Sequence, residues 1–164
     1  SHPVDIERDD EVGALATALN AMRDGIASRE ATIRDLAYRD AVTGLPNRAA
    51  FSESATTRFA QLSAGEAAAV LVIGIDNFRY VTQTLGHHFA DRLLREVALR
   101  LAATHGHASL ARIGNDQFAV FVERAAQAGA AGLALVQALE SPFRVDDQIV
   151  DLGGSVGLVE HPLH

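Results

Sequence analysis

An α/β sandwich preceded by a long coiled-coil helix is the fold class that three observations predict. Apolar residues Val12, Leu15, Leu19, Met22, Ile26, Ile33 and Leu36 recur in heptad register, and residues 67–75 form a continuous apolar run. Segments of strand and helical character then follow in the order βαββαβ. That order implies one mixed sheet with helices packed on a face, because strands and helices of this kind bury their apolar sides against each other.

The heptad stripe is broken once, at Arg29. A 3.5-residue period held over more than three heptads marks a seam between helices, since on one straight helix the stripe would drift around the surface. The alternative is an amphipathic helix folded onto its own domain. In "DAVTGLPNRAAF" (40–51), Gly44 and Pro46 mark a turn and Asn47 caps a helix running to about Leu62. "AAAVLVIGI" lacks alternation, so it reads as a central strand buried on both faces. It ends at Asp76, taken as the N-cap of a short helix with Phe78, Val81 and Leu85 inward and Gly86 as its stop. The next helix carries Phe89, Leu93, Leu94, Val97 and Leu101 on one face, with Asp91, Arg92 and Arg95 off it. "ASLARI" and "QFAVFVE" are strands around a two-residue Gly114-Asn115 turn, which is a hairpin signal. An Ala-rich helix stopped by Pro142 follows, and then strands that bend at Asp146-Asp147 and Gly153-Gly154. This order places Gly74 to Asp76 beside Gly114 to Gln117.

Composition narrows the chemistry. The 164 residues are 48% hydrophobic and 21% charged, enough apolar material for one core plus an extra element. A net charge of −7 with no basic stripe argues against a nucleic-acid partner. Cysteine is absent, which excludes disulfides, zinc-thiolate sites and thiol nucleophiles while leaving carboxylate metal sites open. No stretch approaches the roughly 18 apolar residues of a membrane span, and the N-terminus has no signal-peptide pattern. The abrupt opening "SHPVD" reads as a cut from a longer protein, with Ser1 and His2 as tag remnants.

Taken in order, "DEVGALATALNAMRDGI", "DAVTGLPNRAAF", "IDNF", "LGHHFADRLL" and "RIGNDQF" resemble the GGDEF domain family, the diguanylate cyclases that condense two GTP into cyclic di-GMP, preceded by the end of a HAMP module. The resemblance implies a βαββαβ nucleotidyl-cyclase-like sandwich at 40–164, truncated at its C-terminus, after a HAMP and signalling coiled-coil helix at 1–39. By the same resemblance, the family's first-strand metal Asp falls at Gly74 and its guanine-binding Asn at Thr82. The acidic partner of that Asn is kept as Asp91, and a phosphate-contacting basic residue is kept in kind as Arg79. In the signature, Gly114, Asp116 and Phe118 fit the pattern, whereas the second glycine is Asn115 and the fourth acid is Gln117. Asp116 is thereby a remnant metal ligand. The product-inhibition pair would fall at His105 and Ala108, which cannot serve. Outside the resemblance, Asp116 reads as a turn-forming residue and Asp91 as a solvated helix charge. Adjacent His87 and His88 read as capping or exposed residues, because neighbours on a helix point apart.

One metal carboxylate is missing and one acid is neutralised, and a preorganised electrostatic group is commonly worth about 10²–10³ in rate. The expectation is a catalytically inactive, regulatory domain in a cyclic di-GMP signalling receptor. The rivals are a weak or conditional cyclase and a nucleotide-free dimerisation module. Expected partners are a second copy through the N-terminal helix, GTP with magnesium if nucleotide binding is retained, and a downstream EAL domain. The expected location is the cytoplasmic part of a bacterial inner-membrane protein.

Overall fold

The computed structural model describes residues 2–106 and 109–161, with side chains from Asp10 onward. It divides into two compact units, Ser1–Ala37 and Tyr38–His164. The expected position of the inhibition-pair residue Ala108 lies outside the described residues, while His105 ends a helix.

Helix α1 (His2–Tyr38) supplies the first unit. Its one proline, Pro3, falls in the first turn, where proline is tolerated, and beyond it only Gly13 and Gly25 weaken the helical preference, so the helix runs unbroken. The heptad residues Val12 through Leu36 are 52–77% exposed in the single chain, an uncovered apolar seam. No helix among the described residues is long and apolar enough to cross a membrane.

The second unit orders its elements as α2 (Arg48–Ala60), β1 (Ala68–Asp76), α3 (Phe78–Leu85), α4 (His87–His105), β2 (Leu110–Arg112), β3 (Gln117–Val122), α5 (Ala128–Glu140), β4 (Phe143–Val145), β5 (Gln148–Val150) and β6 (Gly153–His161). Asn47 caps α2 as its sequence position suggests, its Oδ1 accepting from the Ala50 amide at 3.0 Å. The four-stranded sheet runs β2-β3-β1-β6, so β1 is central as expected. Every pairing in it is antiparallel, which corrects the expected mixed sheet. The reason is topological: β3 inserts between β1 and β2, so the two strands joined by the helical crossover are never neighbours.

Helices also cover both faces rather than one. Leu71 and Ile73 of β1, with their opposite residues Val120 and Phe118, pack with Leu94 and Val97 of α4 and Leu135 of α5. Residues on the other side of the pleat, Ala68, Val70 and Phe121, pack with Phe51, Ala55 and Phe59 of α2. On that second face Val70, Val72 and Gly74 are only half-buried, so the strand's burial is complete on one side alone. Leu85, expected inward, is 38% exposed at the end of the short helix α3.

The expected bend at Gly153-Gly154 is instead the start of β6, paired with Asp76 and Ile75. A Cβ on Gly154 would lie 2.4 Å from Leu139 Cδ1, so glycine here permits α5 to close on the sheet. The bend at Asp146-Asp147 is present. Both residues have positive φ, 49° and 64°, the twist that a two-residue hairpin between β4 and β5 demands.

Arg100 of α4 ties α5 in place. Its guanidinium donates to the carbonyls of Ala138 (3.1 Å) and Pro142 (2.9 Å), and its Cζ sits 3.5 Å from the Phe143 ring centre. It thereby neutralises the carbonyl end of α5 while stacking on an aromatic face. Arg100→Ala is expected to lower the denaturant midpoint by the equivalent of about 1–2 kcal/mol, with Arg100→Lys recovering only part of it.

Candidate functional site

The site is built where the end of β1 meets the β2–β3 tip. Gly74 pairs directly with Gln117, and the Ile75 amide donates to the Asp116 carbonyl at 2.8 Å. The sequence had placed these two stretches side by side, and they are. The hairpin is longer than expected, because Arg112 pairs with Phe118 and residues 113–116 form the connection. The Ile113 amide donates to the Gln117 carbonyl at 2.9 Å, while the Asp116 carbonyl turns out of the hairpin to serve β1.

Asp76 is not a helix cap. It still belongs to β1, opposite Gly153, and its carboxylate accepts from Ser155 Oγ at 3.1 Å. The residue before α3 is Asn77, in a left-handed conformation with φ 59° and no capping side-chain bond. Left-handed backbone suits Asn better than most residues, and it swings the chain from strand to helix in one step.

Beside the tip lies a cavity of about 610 Å³. Helix α3 lines it with Phe78, Arg79, Thr82 and Gln83, and α4 with His87, Asp91 and Leu94, positions one turn apart on each helix. The tip closes it with Asn115 and Asp116. Thr82 Oγ donates to the Phe78 carbonyl at 3.1 Å.

The tip itself is held by Arg112. Its Nε and Nη2 donate to the Gly114 and Asn115 carbonyls at 3.1 and 2.9 Å, and its Nη1 reaches both oxygens of Asp40 at 2.9 and 3.1 Å. Asp40 also accepts from the amide and hydroxyl of Thr43, at 2.8 and 2.7 Å. Burial pushes the Asp40 carboxyl up, but the Thr43 bonds and the Arg112 charge outweigh it and hold it below the usual carboxylate range.

The profile described as "Diguanylate cyclase, GGDEF domain" matches residues 37–164. The chain belongs to the GGDEF family. A HAMP domain profile matches residues 1–28, ahead of this GGDEF domain. Over 152 residues the chain is 32% identical to the bifunctional diguanylate cyclase/cyclic di-GMP phosphodiesterase MucR of Pseudomonas aeruginosa, covering 90% of this chain and 22% of that protein. It is 30% identical over 168 residues to the diguanylate cyclase TpbB of the same species, covering 94% and 38%. The chain thus spans between a fifth and two fifths of these relatives. The crystal structure of the coiled coil and GGDEF domain of DgcB from Caulobacter crescentus matches in fold, with TM-score 0.77, 23% identity and coverage of 92% and 83%.

Within this GGDEF domain the structure gathers Arg79, Thr82, Asp91, Asn115 and Asp116 around one cavity. Gly74 and Gln117, which pair across β1 and β3, and Gly114, whose carbonyl accepts from Arg112, do not line it. His87 lines the cavity and His88 is exposed, and among the described residues no group of three or more His, Asp or Glu could hold a metal. Sequence reasoning missed Arg112, Asp40 and Gln83. The available signal was local: an Asp followed three residues later by Thr is a side-chain-to-backbone turn motif, and it leaves one carboxylate edge for a distant cation.

Proposed function

We propose that this chain is a regulatory GGDEF domain whose cyclase chemistry has lapsed, relaying a signal from its HAMP segment within a receptor of cyclic di-GMP signalling. One observation carries the reading. The register that sets Gly74 against Gln117 leaves an absent side chain facing an uncharged amide, where the family resemblance calls for acids at both positions. Phosphoryl transfer depends on metal and positioned charge to offset the phosphates, so two neutral groups at this junction remove what the reaction most requires.

GGDEF domains generally use magnesium with GTP. The residues present do not fit a tightly held ion: magnesium takes hard oxygen ligands in octahedral geometry, and Asp116 is the sole carboxylate on the 113–117 tip. Asp116 is retained in this proposal as a remnant ligand. Arg79 and Asp91 are retained as nucleotide contacts, with Thr82 and Gly114 as the altered and kept positions beside them. The domain boundary is proposed between residues 39 and 40.

The test is a titration with GTP and magnesium, read by calorimetry and by product analysis. Binding without turnover is the expected result. Cyclic di-GMP formation would reject the lapsed reading in favour of a weak cyclase, and no binding would leave a dimerisation module.

The heptad seam supports a homodimer through α1, in which a parallel pair of helices sets the spacing of two domains. Sedimentation is expected to show a dimer, and Leu19→Asp with Ile26→Asp is expected to give a monomer. The HAMP match and the bifunctional relative support a cytoplasmic position in an inner-membrane receptor, with an EAL domain downstream.

A further inference from the structure

We infer that Arg29 locks the α1 seam into one parallel register by pairing with Glu30 of the partner subunit. The inference rests on the homodimer reading above and adds what fixes its alignment.

Three observations carry it. Met22, Ile26 and Arg29 line one groove along α1 together with Ala21 and Gly25, so the arginine lies on the apolar strip and continues it. A guanidinium therefore stands where the heptad calls for an apolar side chain. Among the described residues neither Arg29 nor Glu30 makes an ion pair, and both are exposed. Adjacent positions on a helix do not face each other, so the two do not serve one another within a chain. The HAMP match ends at residue 28, which makes Arg29 the first seam position beyond it.

Heptad geometry supplies the partner. Val12, Leu19, Ile26 and Ile33 take the a position of the repeat, and Leu15, Met22, Arg29 and Leu36 take d. Each seam side chain enters a hole between four residues of the facing helix, and in a parallel pair without offset the following e residue forms one wall of the hole for d. For Arg29 that residue is Glu30 of the partner subunit. Two-fold symmetry makes the pair twice, as charge-assisted hydrogen bonds flanked by Ile26 and Ile33. Other alignments strand the guanidinium. A slip of one heptad sets one Arg29 beside Arg23 of the partner subunit, and an antiparallel seam from Val12 to Leu36 sets it against Leu19 of the partner subunit. The flanks give no competing signal, since g and e residues five apart, such as Ala18 with Arg23 or Gly25 with Glu30, never join opposite charges. An uncompensated charge in an interface is costly, so this one layer selects the register while weakening the dimer.

The chain has no cysteine, so introduced thiols report alignment directly. Oxidation of the Ile33→Cys chain captures the matched register, and an equal mixture of Ile26→Cys with a size-tagged Ile33→Cys chain captures a slip as a mixed product. Seven residues are about 10 Å along a helix, beyond disulfide reach when the register is matched. Sedimentation of the whole chain gives dimer affinity alongside. The matched product is expected to exceed the slipped one by about tenfold or more. Glu30→Arg is expected to weaken the dimer about tenfold and to lose most of the matched product, and Arg29→Glu with Glu30→Arg to restore both. Arg29→Leu is expected to tighten the dimer about tenfold while raising the slipped product. Equal cross-linking in the two alignments, a Glu30→Arg chain that pairs as before, or a swapped pair as weak as Glu30→Arg overturns the inference and leaves the homodimer standing. If the unaltered chain is a monomer, the homodimer reading falls and this inference falls with it.

Discussion

Restoring the two acids together, Gly74→Asp with Gln117→Glu, is expected to return metal-dependent GTP binding and bring cyclic di-GMP formation above background in the full-length protein. The rise should exceed the effect of either change alone, since each preorganised charge is worth about 10²–10³ in rate and the two act as a unit. The backbone is ready to accept the first change. Gly74 has no left-handed φ, and a Cβ there would meet nothing nearer than the Ser155 carbonyl at 4.0 Å. Glycine is therefore not required by the fold at this position. Thr82→Asn and Asn115→Gly complete the set, and Asn115 too has an ordinary φ, so a glycine there supplies room for phosphate rather than a special turn. If the fourfold variant folds, shown by an unchanged melting transition, yet gains neither magnesium-dependent GTP binding nor product, the ancestral-site account is wrong.

Removing one half of the Asp40–Arg112 pair is expected to destabilise the second unit by about 3 kcal/mol, the cost of leaving a largely buried charge alone. Their side chains are only 18% and 11% exposed, and Arg112 also holds two tip carbonyls. Arg112→Ala should therefore lower the melting temperature and speed hydrogen exchange at residues 113–116, while Arg112→Lys, which cannot reach Asp40 and both tip carbonyls from one ammonium, recovers the ion pair but little of the slowed exchange. The pH dependence follows from the lowered Asp40 value. Its stabilisation is fully present above the ordinary aspartate value of about 3.9 and is lost as pH falls from there through the folded value. Asp40→Asn should flatten the acid limb of a melting-temperature profile below about pH 4; an unchanged limb would assign the acid sensitivity to other carboxylates.

Particular residues show how far the sequence carried. The apolar run 67–75 and the hairpin 110–122 announced themselves because continuous burial and a Gly-containing break are local signals. Direction of pairing was not local: nothing in the periodicity of β1 or β2 states that β3 will sit between them. Asp76 looked like a cap because Asp before a helix usually is one. The strand simply extends one residue further, and Asn77 makes the turn with its backbone instead. In the site, the meeting of residues 74 and 117 was legible from the order of the elements. Arg112 was not, since a charge at a strand end looks solvated until its partner, 72 residues away, is brought to it.

The hold of Arg112 on both Asp40 and the tip has a consequence for how this domain can change over generations. The groups that bind the tip's shape, Asp40, Thr43 and Arg112, are separate from those that would do chemistry at Gly74, Asp116 and Gln117. Contour and reactivity are thus inherited as two independent traits. A lineage can shed the second by single substitutions while the first stays under its own selection, and the empty space beside Gly74 keeps the return path open.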